Sequence, residues 1–314
     1  MNRGSDLLLT ALAPAIWGST YVVTTLMLPQ DYPLTVAMLR ALPAGFLLLL
    51  IVRQLPQGIW WLRAFILGAL NFSLFWALLF VAAYRLPGGV AATLGAIQPL
   101  VVILLARSLL GTPVRGLSVL AALGGLGGVA LLVLTPKAAL DPVGIAAGLI
   151  SAASMALGTV LSRRWQPPVS ALTFTSWQLT AGGILLAPLA FAAEPALPPL
   201  TALNVAGIAY LGLIGAALTY VLWFRGVARL EPAVVSSLGF LSPITAVLLG
   251  WGILGQQLSA AQIAGMMIVV ASVWLSQRAQ RPAAIAPAPR PPRVRCNRAG
   301  NAAKKCGGGG WAGA

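Results

Sequence analysis

Hydrophobic positions in this chain are concentrated in long runs that charged residues rarely interrupt. Each run holds roughly 20 residues, the length of helix that crosses a bilayer core of about 30 Å. Short stretches, several of them containing proline, separate the runs and leave no room for a soluble domain. The pattern predicts an all-α integral membrane protein with ten transmembrane helices, at residues 7–28, 34–53, 62–84, 88–110, 116–134, 142–162, 170–192, 204–224, 230–254 and 260–277.

The overall composition agrees with a lipid environment. Hydrophobic residues make up 59% of the chain and charged residues only 8%, whereas a soluble globular protein carries about 25% charged residues. Histidine is absent, and the two cysteines, Cys296 and Cys306, lie near the C-terminus. We therefore expect no metal site, no cofactor and no disulfide in the hydrophobic body. We expect no enzymatic activity either, and an integral-membrane enzyme stays a remote alternative.

The formal net charge of +15 does not indicate a nucleic-acid partner, because the basic residues mark the ends of hydrophobic runs instead of forming one patch. Eleven arginines lie on the side of the N-terminus, against only Arg85 and Lys137 on the other side. The positive-inside rule therefore predicts that both termini are cytoplasmic. The basic, Pro-rich tail at 282–314 is predicted to be disordered, and a reading-frame artefact is one explanation for its Gly-rich ending.

An internal repeat divides the hydrophobic body. Residues 86–114 and 230–258 align without a gap at an offset of 144 and share a Gly-x-x-x-Pro spacing, while a second match, at an offset of 138, relates the second and seventh predicted helices. We therefore predict a first repeat at 1–136 and a second at 137–281. The identical pairs are Phe80/Phe224, Arg85/Arg229, Leu86/Leu230, Val90/Val234, Leu94/Leu238, Gly95/Gly239, Pro99/Pro243, Leu104/Leu248, Leu105/Leu249, Leu110/Leu254, Gly111/Gly255, Leu34/Leu172, Thr35/Thr173 and Gly45/Gly183.

Because each repeat holds five helices, the second repeat is predicted to enter the membrane inverted relative to the first. Inverted repeats are a recurring plan of secondary transporters, in which two similar halves support alternating access. Pro99 and Pro243 are predicted to break their helices and to free the carbonyl groups of Gly95 and Gly239. Two interpretations stay open: packing kinks satisfied by neighbouring hydroxyl groups, or helix breaks beside a central pathway.

Several segments resemble a known transporter family. The first predicted helix carries APAIWGSTY at 13–21, and the second carries LT at 34–35 and MLRA at 38–41. Together with AASMAL at 152–157 and residues 173–178, these segments resemble the EamA family of the drug/metabolite transporter superfamily, and within it the YddG-type exporters of aromatic amino acids. The resemblance implies ten helices in two EamA repeats and a multi-pass protein of a bacterial inner membrane.

Three positions depart from the pattern of that family. Thr112 and Gln256 stand where an acidic residue often follows Leu-Gly, and Met155 stands where tryptophan is common. These departures weaken the transfer of a detailed mechanism and leave the implied fold unchanged.

Arg40 lies well inside the second predicted helix, where an ionisable residue is a functional hypothesis by default. It is predicted to bind a substrate carboxylate, with snorkelling or a clamp on neighbouring carbonyls as alternatives. Its repeat partner is the neutral Gln178, which is predicted to line the pathway, with a structural clamp as the alternative. Acidic residues are absent from the interior of the predicted helices, which disfavours proton-coupled export of organic cations. A mixed cavity is predicted, with interface belts or packing as the alternative, from Trp17, Tyr21, Asn71, Trp76, Tyr84, Gln98, Trp177, Tyr220 and Ser242.

These observations predict a secondary transporter that moves a small amphiphilic molecule through a lipid bilayer. The family resemblance implies export of amino acids, including aromatic ones. Export of drugs or organic cations and export of purine bases are the alternatives within the same superfamily. The sequence predicts no oligomeric state.

Overall fold

The computed structural model describes residues 3–85, 94–133, 141–255 and 257–279. Every regular element in this part of the chain is helical, which confirms the all-α class. Eight of the described helices are long and apolar enough to cross a membrane, and two shorter apolar helices lie where the fourth and fifth crossings were predicted. The count of ten crossings therefore stays a prediction. The boundary between the repeats at 136/137 and the tail at 282–314 lie outside the described residues.

We number the described helices α1 to α10 in chain order. Four of them change geometry or are interrupted along their length, and the others are continuous. Their bounds are α1 (Arg3–Gly18 and Thr20–Met27), α2 (Pro33–Val52), α3 (Trp60–Gly68, Ala69–Ser73 and Leu74–Arg85), α4 (Gln98–Leu110), α5 (Gly116–Val133), α6 (Pro142–Arg164), α7 (Ala171–Ala193), α8 (Ala202–Gly212, Leu213–Leu218 and Thr219–Arg229), α9 (Pro232–Leu238 and Leu241–Leu254) and α10 (Ala260–Ala279).

Two of these helices contain a π-helical segment at matching positions. Ala69–Ser73 widens α3 and Leu213–Leu218 widens α8, and their first residues are separated by the same offset of 144 that relates the repeats. A π-helical turn is uncommon and is frequently found at functional sites. No residue pattern predicted these segments, although the offset shows afterwards that they are equivalent.

Turns in the backbone accompany the prolines of the Gly-x-x-x-Pro spacing. Residues 239–240 form a turn between the two parts of α9, and residues 96–97 form a turn directly before α4. The Gly239 carbonyl was predicted to be free. In the structure it is paired, because the Ser242 N–H donates to it at 3.1 Å. A tight turn of this kind satisfies the carbonyl group within the break itself.

The crossing of α2 and α7 is reciprocal. A Cβ atom at Gly45 would lie 2.5 Å from the Thr180 backbone nitrogen, and one at Gly183 would lie 2.7 Å from Leu42 Cα. Each glycine is related to the other, and each contacted residue to the other, by the offset of 138. Small residues at such a crossing let two membrane helices approach closely, and the reciprocity is what a two-fold relation between the repeats requires.

Replacing Gly45 with alanine is expected to destabilise this crossing by about 1–3 kcal/mol, because the added methyl group would force the two backbones apart. The measurement is the fraction of purified protein that stays monodisperse after heating in detergent. Gly127→Ala is the matched control, since a Cβ atom there meets no atom within 4 Å. Equal heat sensitivity of the two variants would contradict the tight crossing.

The start of α2 and the end of α7 meet at one face of the helical body. The Glu194 carboxylate accepts hydrogen bonds from the backbone N–H groups of Leu34 and Thr35 at 2.6 and 2.8 Å. An acidic group here satisfies amide donors that the first turn of α2 leaves unpaired. We call this side the Asp31 face, after the exposed residue in the loop before α2.

An ion-pair cluster joins α1 and α8 at the opposite face, which we call the Asp6 face. Asp6 Oδ1 lies 2.7 Å from Arg225 Nη2 and 3.4 Å from Arg229 Nη1. The first predicted crossing began at residue 7, whereas α1 begins at Arg3 and includes Asp6, which is only 8% exposed. Hydrophobicity alone placed the start of the predicted helix after Asp6. The cationic partners of Asp6 lie far away in the sequence, so no local pattern indicated that this charge is buried.

Candidate functional site

A cavity of about 570 Å³ lies within the helical body and extends to the loop that carries Asp31. This volume falls within the roughly 300–1,000 Å³ of typical small-molecule sites. No residue from the helix ends at the Asp6 face is among the described residues that line it. The structure is therefore open toward the Asp31 face and closed toward the Asp6 face.

Ten of the predicted pathway and hinge residues line this cavity. They come from α1, α2, α3, α8, the turn and second part of α9, and the residues around the start of α4. The ten residues are Trp17, Arg40, Trp76, Gly95, Gln98, Pro99, Tyr220, Gly239, Ser242 and Pro243. Tyr21 and Tyr84 lie on described helices, but their side chains are outside the described part of the structure.

Arg40 projects from α2 into the wall of the cavity. Its Nη2 donates to the Gly215 carbonyl oxygen at 3.0 Å, and its guanidinium carbon lies 4.7 Å from the centre of the Trp76 ring. Among the described residues, no carboxylate lies within ion-pair distance of Arg40, and its buried Nε has no hydrogen-bond partner. A guanidinium has five N–H donors, so this side chain keeps donors for an anion in the cavity.

The π-helical segment of α8 positions that guanidinium. The Gly215 carbonyl accepts from Arg40 and also from Thr219 Oγ1, at 2.9 Å. Thr219 Oγ1 in turn accepts from Trp17 Nε1 at 2.9 Å. One carbonyl in the widened turn therefore links side chains of α1, α2 and α8, and holds the indole and the guanidinium in fixed positions beside the cavity.

Aromatic rings form much of the remaining wall. The Trp17 ring lies 4.9 Å from Tyr220 and 5.1 Å from Trp223, measured between ring centres. Behind this wall, the fully buried Phe72 ring lies 4.6 Å from Tyr220. Tilted contacts at these separations are favourable for aromatic pairs. The wall is thus a packed aromatic surface beside one cation, which suits a ligand with an apolar or aromatic part and an anionic group.

Two predicted pathway residues lie on the closed side and do not line the cavity. Trp177 is buried and donates from Nε1 to the Gln54 carbonyl oxygen at 2.7 Å. Gln178 is fully buried, and its Oε1 accepts from Asn71 Nδ2 at 2.8 Å. Asn71, predicted from its depth to lie in the mixed cavity, also donates to Ser162 Oγ at 3.2 Å and is fully buried.

The Gln178–Asn71 contact is the repeat counterpart of the Arg40–Gly215 contact. The offset of 138 relates Arg40 to Gln178, and the offset of 144 relates Asn71 to Gly215. In each case a side chain from one helix meets the π-helical segment of the other repeat. The counterpart beside the cavity holds a cation, and the counterpart on the closed side is neutral and buried.

The comparisons with known proteins agree with this architecture. The model of the EamA-like transporter family matches residues 5–134 and again 142–277, which together make up most of the chain. The chain belongs to the EamA-like transporter family. It is therefore a multi-pass membrane protein of a transporter family, and a small-molecule substrate follows from that membership.

Two curated relatives and one solved structure are similar to this EamA protein. Protein PecM of Dickeya dadantii (strain 3937) is 46% identical over 267 residues, covering 84% of this chain and 90% of PecM. The uncharacterized inner membrane transporter YedA of Escherichia coli (strain K12) is 32% identical over 267 residues, covering 83% and 86%. A solved crystal structure has a TM-score of 0.76 at 21% identity, covering 89% of this chain and all of the other, and this likeness supports the fold.

Several residues of this EamA protein that line the cavity or position its side chains were not predicted. Gly215 and Thr219 organise the contacts of Arg40 and Trp17, and Trp223 contacts the Trp17 ring. The repeat could have indicated Gly215, because the offset of 144 places it opposite Asn71, which was predicted. The π-helical geometry that exposes the Gly215 carbonyl has no comparable signal.

Among the described residues, no group of histidine, cysteine, aspartate and glutamate is arranged to hold a metal ion.

Proposed function

We propose that this EamA protein is a secondary transporter that exports amino acids, including aromatic ones, by alternating access of its two repeats. The single observation that carries the proposal is Arg40, a cation without a carboxylate partner among the described residues, in the wall of an aromatic cavity. The family membership supports transport, and the direction of export rests on the resemblance to YddG-type exporters.

Recognition of the substrate carboxylate is assigned to Arg40. Charge-assisted hydrogen bonds between a guanidinium and a carboxylate are roughly twice as strong as neutral ones, and the contacts to Gly215 and Trp76 hold the guanidinium in place. Because binding does not require the side chain to be reordered, less conformational entropy is lost when the substrate enters.

The substrate side chain is assigned to the aromatic wall. Trp17, Trp76 and Tyr220 all line the cavity, and the Trp76–Tyr220 and Trp17–Tyr220 ring centres are 6.5 and 4.9 Å apart. Burying an apolar or aromatic side chain against these rings contributes through the area removed from water, at about 25 cal/mol per Å². This surface favours amphiphilic substrates over small hydrophilic ones.

We further propose that the Asp6 face is cytoplasmic and the Asp31 face is outside, in a bacterial inner membrane. The arginine distribution supports this orientation by the positive-inside rule. The cavity described above would then be the outward-open one. In alternating access, a substrate leaves through this opening after entering from an equivalent cavity on the cytoplasmic side.

The proposal is tested by counterflow in proteoliposomes that hold the purified full-length protein. The vesicles are preloaded with unlabelled aromatic amino acids, purine bases or organic cations, and uptake of the same compound in radiolabelled form is followed. We expect saturable exchange when the vesicles hold aromatic amino acids, and no change in the rate when an ionophore collapses the pH gradient.

Other results would assign a different substrate or overturn the proposal. Exchange only with organic cations or only with purine bases would exclude the amino-acid assignment and favour the corresponding alternative. Exchange that stops when the pH gradient is collapsed would contradict a mechanism without proton coupling. Uptake equal to that of protein-free liposomes for every compound would remove the support for this substrate class.

A further inference from the structure

The repeat relates an aromatic cluster on the closed side to a set of residues along the open cavity. The offset of 144 between α3 and α8 pairs Trp76 with Tyr220 and Phe80 with Phe224. The offset of 138 between α2 and α7 pairs Val36 with Phe174. Since the π-helical segments and the α2–α7 crossing follow these same offsets, the paired residues occupy equivalent places in the two repeats.

Toward the Asp6 face, the three equivalent residues are packed together. The Phe224 ring centre lies 5.8 Å from that of Phe174 and 5.9 Å from that of Tyr220. Phe224 is 1% exposed, and Phe72 of the other repeat lies against it with ring centres 6.4 Å apart. This cluster fills the space between the start of α7 and the end of α8, directly beyond the cavity wall at Tyr220.

Toward the Asp31 face, the counterpart residues border open space. Val36, Trp76 and Phe80 all line the cavity, and Phe80 has no aromatic ring in contact with it among the described residues. A second crevice runs between the start of α2 and the end of α3, lined by Phe80 together with Pro33 and others. The equivalent space between α7 and α8 is the one that Phe174 and Phe224 occupy.

We propose that Phe224 and Phe80 are the two gates of the pathway, and that they close in alternation. In the structure described here Phe224 is closed against Phe174, and Phe80 is open. In the opposite state Phe80 packs against Val36 and Trp76, while Phe224 separates from Phe174 and opens the Asp6 face. The inference rests on the alternating-access part of the proposed function and is independent of the identity of the substrate.

The gates are tested by cysteine accessibility, which needs no substrate. Cys296 and Cys306 are replaced by serine, and Ser242→Cys places one thiol in the cavity wall with little change of volume. A small anionic methanethiosulfonate reagent is applied to intact cells or to inside-out membrane vesicles, and the modification rate is measured from each side. A separate cysteine at Asp31 reports which face of the protein each preparation exposes.

Phe224→Ala is expected to raise the modification rate from the Asp6 face by about tenfold or more, because it removes buried contacts that exist only when this gate is closed. Phe80→Ala is expected to act in the opposite direction and lower the rate from the Asp6 face severalfold, since it weakens the state in which that face is open. The control is Phe191→Ala, which removes an identical ring that is 77% exposed.

An unchanged rate in Phe224→Ala, or a change equal to that in Phe191→Ala, would overturn the gate assignment. A rise in Phe80→Ala from the Asp6 face would overturn the alternation. If Phe224→Ala is not recovered as monodisperse protein, Phe80→Ala decides alone, because Phe80 lines an open cavity and tolerates truncation more readily. Failure of amino-acid counterflow together with the expected rates would reject the substrate and keep the gates.

Discussion

Arg40→Gln is expected to lower the counterflow rate at low substrate concentration roughly thirtyfold or more. Removing one partner of a desolvated, hydrogen-bonded charge pair costs about 2–5 kcal/mol, and the Gln side chain offers the substrate carboxylate an amide in place of a guanidinium. The loss should appear mainly as a higher substrate concentration for half-maximal exchange. Arg40→Lys keeps the charge but lacks the planar guanidinium, and its counterflow rate is expected to lie between those of the wild type and Arg40→Gln.

Thermal unfolding of the same variants, with and without substrate, separates substrate binding from the alternative in which Arg40 is only a clamp on Gly215. If Arg40 is a clamp, Arg40→Gln lowers the thermal stability of the protein without substrate. If Arg40 binds substrate, Arg40→Gln instead reduces the protection that substrate gives against heating. Arg107→Gln is the matched control, because Arg107 is exposed in the last turn of α4 and loses the same charge. Wild-type exchange by Arg40→Gln would contradict the assignment of the carboxylate to this residue.

Hydrophobic runs predicted where the helices lie because a membrane span is a local property of the sequence. The predicted run at 142–162 corresponds to α6 (Pro142–Arg164), and the run at 170–192 corresponds to α7 (Ala171–Ala193). A lipid environment requires nearly every backbone group to be satisfied within a helix, so length and polarity are enough to find these elements. The ends that carry charges, such as the start of α1, are where this reasoning failed.

The site could be predicted only as far as depth and repeat symmetry reach. Depth in the membrane brought Trp17 and Tyr220 into the candidate set, and both line the cavity. Depth equally selected Trp177, and repeat symmetry selected Gln178 as the partner of Arg40. Both lie on the closed side, because a sequence does not say which half of the pathway is open. The link between Arg40 and Gly215 joins residues 175 positions apart and depends on a π-helical turn, so no local pattern reports it.

A hydrophobicity pattern also does not report charges that are buried by pairing with distant residues. Three charged side chains meet at the Asp6 face, and the side chains of Asp6 and Arg225 are only 12% and 17% exposed. They join the first helix of one repeat to the third helix of the other. Beside them, a Cβ atom on Gly226 would lie 2.3 Å from Thr10 Oγ1, so α1 and α8 are in close contact where the charges pair.

Asp6→Asn is therefore expected to destabilise the folded protein by about 2–5 kcal/mol, because it leaves two guanidinium groups beside a neutral amide where solvent is scarce. This range applies to the Arg225 contact, whereas the Arg229 contact contributes about 1 kcal/mol or less, since that side chain is 50% exposed. The measurement is the temperature at which purified protein loses monodispersity in detergent, which we expect to fall by several degrees. Glu231→Gln removes the same charge from an exposed residue near the same helix end and is expected to leave that temperature nearly unchanged. Equal falls of this temperature in Asp6→Asn and Glu231→Gln would contradict a specific role for the ion pair. In Asp6→Glu, which keeps the carboxylate, we expect the temperature to stay near that of the wild type.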